Sequence, residues 1–213
     1  MSLSLTLVII AVTAITSYAA FSNQKLVNDL IFYPPSITEG KQWYRFVTCG
    51  FIHADMQHLL FNMLSLYFFG RNVETAFTDI FQEKGKGLYL LLYITALIVC
   101  LIPTFIKQRN NSNYSSLGAS GAVSAVVFAG ILLFPTAKIG IFILPPIIPA
   151  YIFAPIYLVI SFYLDRKNSD NINHSAHIWG ALYGIIFLLI TSKFLSNFDA
   201  VYNFVENIKL SFQ

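Results

Sequence analysis

Gly118-Ala119-Ser120-Gly121 joins two unlike stretches of the chain: a polar loop, residues 108–116 (QRNNSNYSS), and an apolar run, residues 122–134 (AVSAVVFAGILLF). A serine at that junction falls in the first turn of a helix that continues into an apolar medium. The first N–H groups of a helix have no partner within it and carry partial positive charge, so they stabilise an oxyanion. Flanking glycines let another backbone approach closely. The four residues suit a nucleophile. They equally suit a packing contact, because Gly, Ala and Ser let membrane helices meet at short range.

Composition places that junction in a membrane. Of 213 residues, 56% are hydrophobic and 11% are charged, and the mean hydropathy is +0.66. An ordinary soluble domain carries about 25% charged residues. The length fits one domain, residues 1–213. The net charge of +3 is spread along the chain, with no basic run of the kind that binds nucleic acid. Cys49 and Cys100 suggest no disulfide framework.

A spanning helix needs about 20 mostly apolar residues, and six runs qualify or nearly so. The first is residues 3–21. Ser17-Tyr18-Ala19 resembles a signal-peptidase site, but no Lys or Arg precedes the run and it is longer than a signal core, so it reads as a first span. Residues 22–55 form a connection whose aromatic content places part of it at the membrane–water interface. The second run is residues 56–69, continuing towards 77, and the third is 88–106. The serine run is the fourth, stopped by Pro135. The fifth, 148–164, follows a proline-rich stretch with Pro145, Pro146 and Pro149, and contains Pro155. The sixth is 174–194, and the tail 195–213 is mixed. The expected fold is therefore all-α: a polytopic bundle of six transmembrane helices, with no extra soluble domain and no seventh span. Lys and Arg divide almost evenly between the two faces, so charge does not orient the bundle.

With six spans, the second, fourth and sixth start from the same face. Each carries polar groups near that end: His58 and Asn62, then Ser120, then His177. At 1.5 Å per residue these lie at similar depth. Ser120 and His177 then form a nucleophile and its general base. The rival for His177 is a structural hydrogen bond between helices. Ala176, Gly180 and Gly184 recur every four residues, as do Gly121, Ala125 and Ala129, and two such small faces packed together bring His177 towards Ser120. His58 and Asn62, four apart, share a helical face and can both donate to an oxyanion, with the Ser120 N–H as third donor. They can also be an interhelical pair. His53, His58, His174 and His177 could ligate a metal, but no H-E-x-x-H motif and no matching acidic cluster accompanies them, so neither metal nor cofactor is expected. A triad would need Asp55 or Asp170, both in loops.

Taken in order, Trp43-Tyr44-Arg45-Phe46-Val47-Thr48, His53 with His58-Leu59-Leu60-Phe61-Asn62, Gly118-Ala119-Ser120-Gly121 and Ala176-His177-Ile178-Trp179-Gly180 resemble the rhomboid family of intramembrane serine proteases, from about residue 43 to 184. The resemblance implies a six-helix bundle with a water-accessible cavity. It implies a Ser120–His177 dyad and an oxyanion hole of His58, Asn62 and the Ser120 N–H. Arg45 and His53 would anchor the first loop, with Gly118, Gly121, Gly180 and Gly184 as structural glycines. The fifth helix and residues 165–173 would form gate and cap. Two departures stand out. Tyr44 separates the tryptophan from the arginine. Some members also carry, four residues after the serine, a tyrosine against which the histidine ring stacks, and here that position is Ser124.

The expected function is cleavage of transmembrane segments of membrane-anchored proteins, in the cell membrane, with no cofactor. The alternative is a non-catalytic relative that binds membrane helices. Relatives of that kind typically lack the serine or the histidine, and this chain keeps both. Oligomeric state is open.

Overall fold

The computed structural model describes residues 3–140, 146–167 and 172–213. In chain order the helices are α1 (Leu5–Phe21), α2 (Gln24–Leu30), α3 (Pro34–Thr38), α4 (Arg45–Thr48), α5 (Met56–Ser65), α6 (Arg71–Phe81), α7 (Gly85–Val99), α8 (Ile102–Gln108), α9 (Ser120–Leu133), α10 (Ala150–Lys167), α11 (His174–Leu195) and α12 (Ala200–Leu210). Two two-residue strands, β1 (Lys138–Ile139) and β2 (Ile148–Pro149), pair antiparallel before α10. The fold is nearly all helical, as expected.

Helix α9 sits at the centre. Among its residues Gly121–Val126, Phe128–Ile131 and Leu133 are buried, so the helix is enclosed on every side. That suits a sequence with no polar face. Its most extensive neighbour is α11, and α7, α6 and α10 surround it further. Gly180 lies against the Gly121 carbonyl and Gly184 against the Ala125 carbonyl, so a methyl group at either glycine would overlap backbone. The two small faces read from the sequence therefore meet in register. Gly184→Val is expected to cost about 1–3 kcal/mol through forced separation of the backbones. A thermal unfolding midpoint in detergent equal to that of wild type would contradict so close an approach.

Among the described residues, two helical stretches are long and apolar enough to cross a membrane, Met56–Gln108 taken through its turns and His174–Leu195, while Leu5–Phe21 and Ser120–Leu133 are shorter apolar helices. The second expected run continues from α5 through a π-helical turn at Leu66–Gly70 to the end of α6. Gln82, at φ 55°, then reverses the chain, and Gly85 comes against the Phe77 carbonyl. The third run is broken between α7 and α8, with Pro103 in the first turn of α8, where its missing N–H costs nothing. The connection 22–55 is largely short helices rather than free loop. Helix α1 is pinned by Glu74 on α6, whose carboxylate accepts from the backbone N–H of Leu5 (2.8 Å) and Thr6 (3.0 Å) and from the hydroxyls of Ser4 and Thr6. A carboxylate there pairs the orphan donors and the positive end of the helix dipole. The tail forms α12, and Asn203 on it donates to the Leu133 carbonyl at the end of α9.

Candidate active site

Ser120 is the first residue of α9. The Val123 N–H makes the first bond back into the helix, to the Ala119 carbonyl, so the N–H groups of Ser120, Gly121 and Ala122 have no partner within it. Across the α9–α11 contact, His177 Nε2 lies 2.7 Å from Ser120 Oγ. Both residues are half-buried. The sequence placed these two groups at matching depth, and the packed glycine faces bring them into hydrogen-bond contact. With the Ser120 hydroxyl as donor, Nε2 is the acceptor and the ring proton sits on Nδ1. That is the arrangement a general base needs.

The loop leading into Ser120 is held from behind. Gly118 takes φ +114° and donates its N–H to the Cys49 carbonyl at 2.9 Å. A Cβ there would lie 2.7 Å from His58 Cε1, so only glycine fits on both counts. His53 Nε2 accepts from the Ala119 N–H at 3.3 Å, and His53 Nδ1 is 2.9 Å from Ser17 Oγ. Ser17 in turn donates to the Phe51 carbonyl. A hydroxyl has one hydrogen, so Ser17 accepts from Nδ1–H and the His53 tautomer is fixed. Burial, with the neighbouring His58 adding to it, pushes the His53 imidazole down to about 3, although Asp55 acts the other way. His53 therefore stays neutral in the fold but protonates near 6.5 when unfolded. Between those values the unfolded chain binds the extra proton, so stability falls as pH drops below about 6.5. His53→Gln should flatten that slope in denaturation curves taken between pH 6.5 and 4. An unchanged slope would show that His53 is not the group responsible.

Arg45 is buried and donates through Nη1 to the Asn28 and Ile31 carbonyls and through Nε to Gln42 Oε1. Its cation thus ties off the C-terminal end of α2. Gly121 leaves room for the Cys100 sulfur. Burial pushes the Cys49 thiol up to about 12, so it stays protonated and is no rival nucleophile.

His58 opens α5, where Asp55 Oδ1 caps its N–H at 2.8 Å. Asp55 is thereby engaged as a helix cap, and Asp170 lies outside the described residues. The His58 ring meets His53 edge-on at 4.9 Å. Its position against Gly118 puts it two residues from the serine. Asn62 is buried and donates one amide hydrogen to its own helix, at the His58 carbonyl (3.0 Å). An amide nitrogen carries two hydrogens, so one remains for another acceptor. Among the described residues, no group of three or more His, Cys, Asp or Glu is placed to hold a metal ion.

Two neighbours of the site were not singled out from the sequence. Ser17 belongs to a buried polar stripe on α1 with Thr6 and Thr13, whose spacing of seven and four is a helical signal that was there to read. Tyr157 on α10 stacks on His177, with centroids 6.5 Å apart and planes 23° apart, and its hydroxyl is 2.9 Å from Ser124 Oγ. No local pattern marks it.

The family model for the rhomboid domain matches residues 40–194. The chain is similar to Rhomboid-like protein 11, chloroplastic, of Arabidopsis thaliana, at 32% identity over 72% of this chain and 54% of that protein. It is also similar to RHOMBOID-like protein 12, mitochondrial, of the same plant, at 28% identity over 79% of this chain and 52% of that protein. It thus spans about half the length of these two relatives. Rhomboid protease GlpG of Haemophilus influenzae is 25% identical over 79% of this chain and 80% of its own length. With a match covering most of the chain and running through all four motifs, the protein belongs to the rhomboid family.

Proposed function

We propose that this chain is an intramembrane serine endopeptidase that cuts membrane-anchored proteins at or near a transmembrane segment. The observation that carries the reading is the 2.7 Å contact between Ser120 Oγ and His177 Nε2, made by side chains from two different apolar helices. The Ser120 oxygen attacks the scissile carbonyl carbon while its proton passes to Nε2. The carbonyl oxygen becomes an oxyanion at the N-terminus of α9, met by the Ser120 N–H, the remaining Asn62 amide hydrogen and His58. Collapse breaks the C–N bond, and Nε2 returns the proton to the leaving amine. Water, deprotonated by the same nitrogen, then releases the acyl group and restores the hydroxyl. No cofactor enters the cycle.

The bundle crosses the membrane six times as one domain, by α1, α5 with α6, α7 with α8, α9, α10 and α11. It is a multi-pass protein of the cell membrane. A groove of about 1160 Å³ runs between the α5–α6 face and the start of α10, lined by Phe61, Leu64, Phe68, Phe69, Ile131 and Ala150 among others. Neither Ser120 nor His177 lines it. Its apolar wall seats the intact part of a substrate helix, with Phe61 one turn from His58, so that a locally unwound end reaches the serine. Shielded helical peptide bonds resist attack, so helix-weakening residues near the cut favour cleavage.

Cleavage of a panel of tagged single-span proteins by the purified chain in lipid vesicles tests the reading. Wild-type protein should cut at least one member near the membrane end of its span, with the product lost in Ser120→Ala. Capture of such proteins without any cut, across the whole panel, would favour the binding alternative.

A further inference from the structure

The side-chain end of a histidine turns easily, because its terminal torsion has a broad minimum. The 2.7 Å bond to Ser120 fixes one atom of the His177 ring, and a single hydrogen bond does not by itself define a ring plane. His174, one turn earlier on the same helix, touches the ring edge-on at 5.7 Å. The flat contact comes from Tyr157 on α10, within the 4.5–7 Å range of interacting aromatic pairs.

Tyr157 is itself held. Ser124, one turn after Ser120 on α9, pairs with its hydroxyl at 2.9 Å. Phe128, one turn further on α9, meets its ring at 5.5 Å, and Phe153 on α10 meets it at 5.7 Å. This grip contrasts with the rest of α10, where only Ala150 and Ser161 are buried and Ile152, Ile156, Val159, Ile160 and Phe162 face outward. Pro155 also removes one internal hydrogen bond just before Tyr157. A weakly seated helix thus turns one half-buried ring inward, and that ring stacks on the histidine.

We propose that Tyr157, anchored by Ser124, is the positioning residue that sets the His177 ring plane for proton transfer with Ser120. This rests on the protease reading above. Tyr157 touches no reacting atom and acts through His177 alone. The role that in some relatives falls to a ring on the serine helix is filled here from α10, and the small Ser124 makes room for it.

The test separates ring alignment from simple packing. The full chain in detergent is reacted with a small alkyl fluorophosphonate, which needs the dyad but no substrate-helix docking. Tyr157→Leu is expected to react about fivefold to tenfold more slowly than wild type, the size of one aromatic contact. Tyr157→Met, which fills irregular gaps, serves as a second ring-free variant should the leucine protein not fold. Tyr157→Phe keeps the ring and should recover most of the rate, and Ser124→Ala should lose about twofold to threefold as one weak hydrogen bond goes. On a single-span substrate the ring-free variants should lower kcat with KM unchanged. Ring-free protein that reacts at the wild-type rate, or that raises KM alone, would overturn the proposal while leaving the protease reading intact. Wild-type protein inert to the probe would overturn both.

Discussion

Ser120→Ala and His177→Ala are each expected to reduce kcat on the order of a millionfold, with the double variant no slower than either single one. As nucleophile and base in the proposed dyad, the two groups would act as one unit. Without His177 the Ser120 hydroxyl keeps its proton and is a poor nucleophile, and without the hydroxyl the imidazole has no oxygen to activate. Removing the second partner therefore takes away nothing that the first removal left. The fold should survive. Ser120 contributes one half-buried hydrogen bond, worth about 1 kcal/mol net, whereas the α9–α11 contact rests on Gly121, Ala125, Gly180 and Gly184. Initial rates on a cleaved single-span substrate, together with unfolding midpoints of all three variants, check both halves. Additive losses in the double variant would show that Ser120 and His177 contribute separately.

Asn62→Ala is expected to lower kcat by about 10²–10³-fold, or roughly 2.7–4 kcal/mol of transition-state stabilisation, with little change in KM. The amide is buried, and one of its hydrogens already goes to the His58 carbonyl. That internal bond fixes where the other hydrogen points, so donating it to a charge developing on a substrate oxygen would cost no reorganisation. With the substrate helix seated in the apolar groove as proposed, ground-state binding would not draw on this hydrogen, so the loss should fall on kcat. Asn62→Asp should be at least as damaging, since it sets an acceptor and a charge where a donor is needed. A variant that keeps the wild-type kcat would assign Asn62 to holding its own helix and nothing more. His58 is a less clean probe, because its ring also fills the space against Gly118 and His53.

Ser120 and His177 were legible because two signals converged: matching depth from the start of their runs, and small residues at four-residue spacing on both helices. Gly180 on Gly121 and Gly184 on Ala125 is the register those spacings imply. Other features left weaker traces. Helices α2, α3 and α4 have seven, five and four residues, too few to show a period. The π turn at Leu66–Gly70 has no composition of its own. Asn62 looked free to reach across the bundle, whereas one of its hydrogens turns back to its own helix. Tyr157 was one aromatic among many in a proline-bearing run. Its meaning lies in where α10 sits against α9 and α11, a tertiary fact that no window of sequence contains. The serine at position 124 was the visible half of that arrangement, and its partner lay 33 residues away.

The central claim is that Ser120 is a nucleophile activated by His177. Intact-mass analysis of the purified chain after reaction with a fluorophosphonate, followed by peptide mapping, reads this most directly. The expected result is one adduct per chain, on Ser120, absent in Ser120→Ala and in His177→Ala. No adduct on wild-type protein, or an adduct that persists unchanged in His177→Ala, would contradict it.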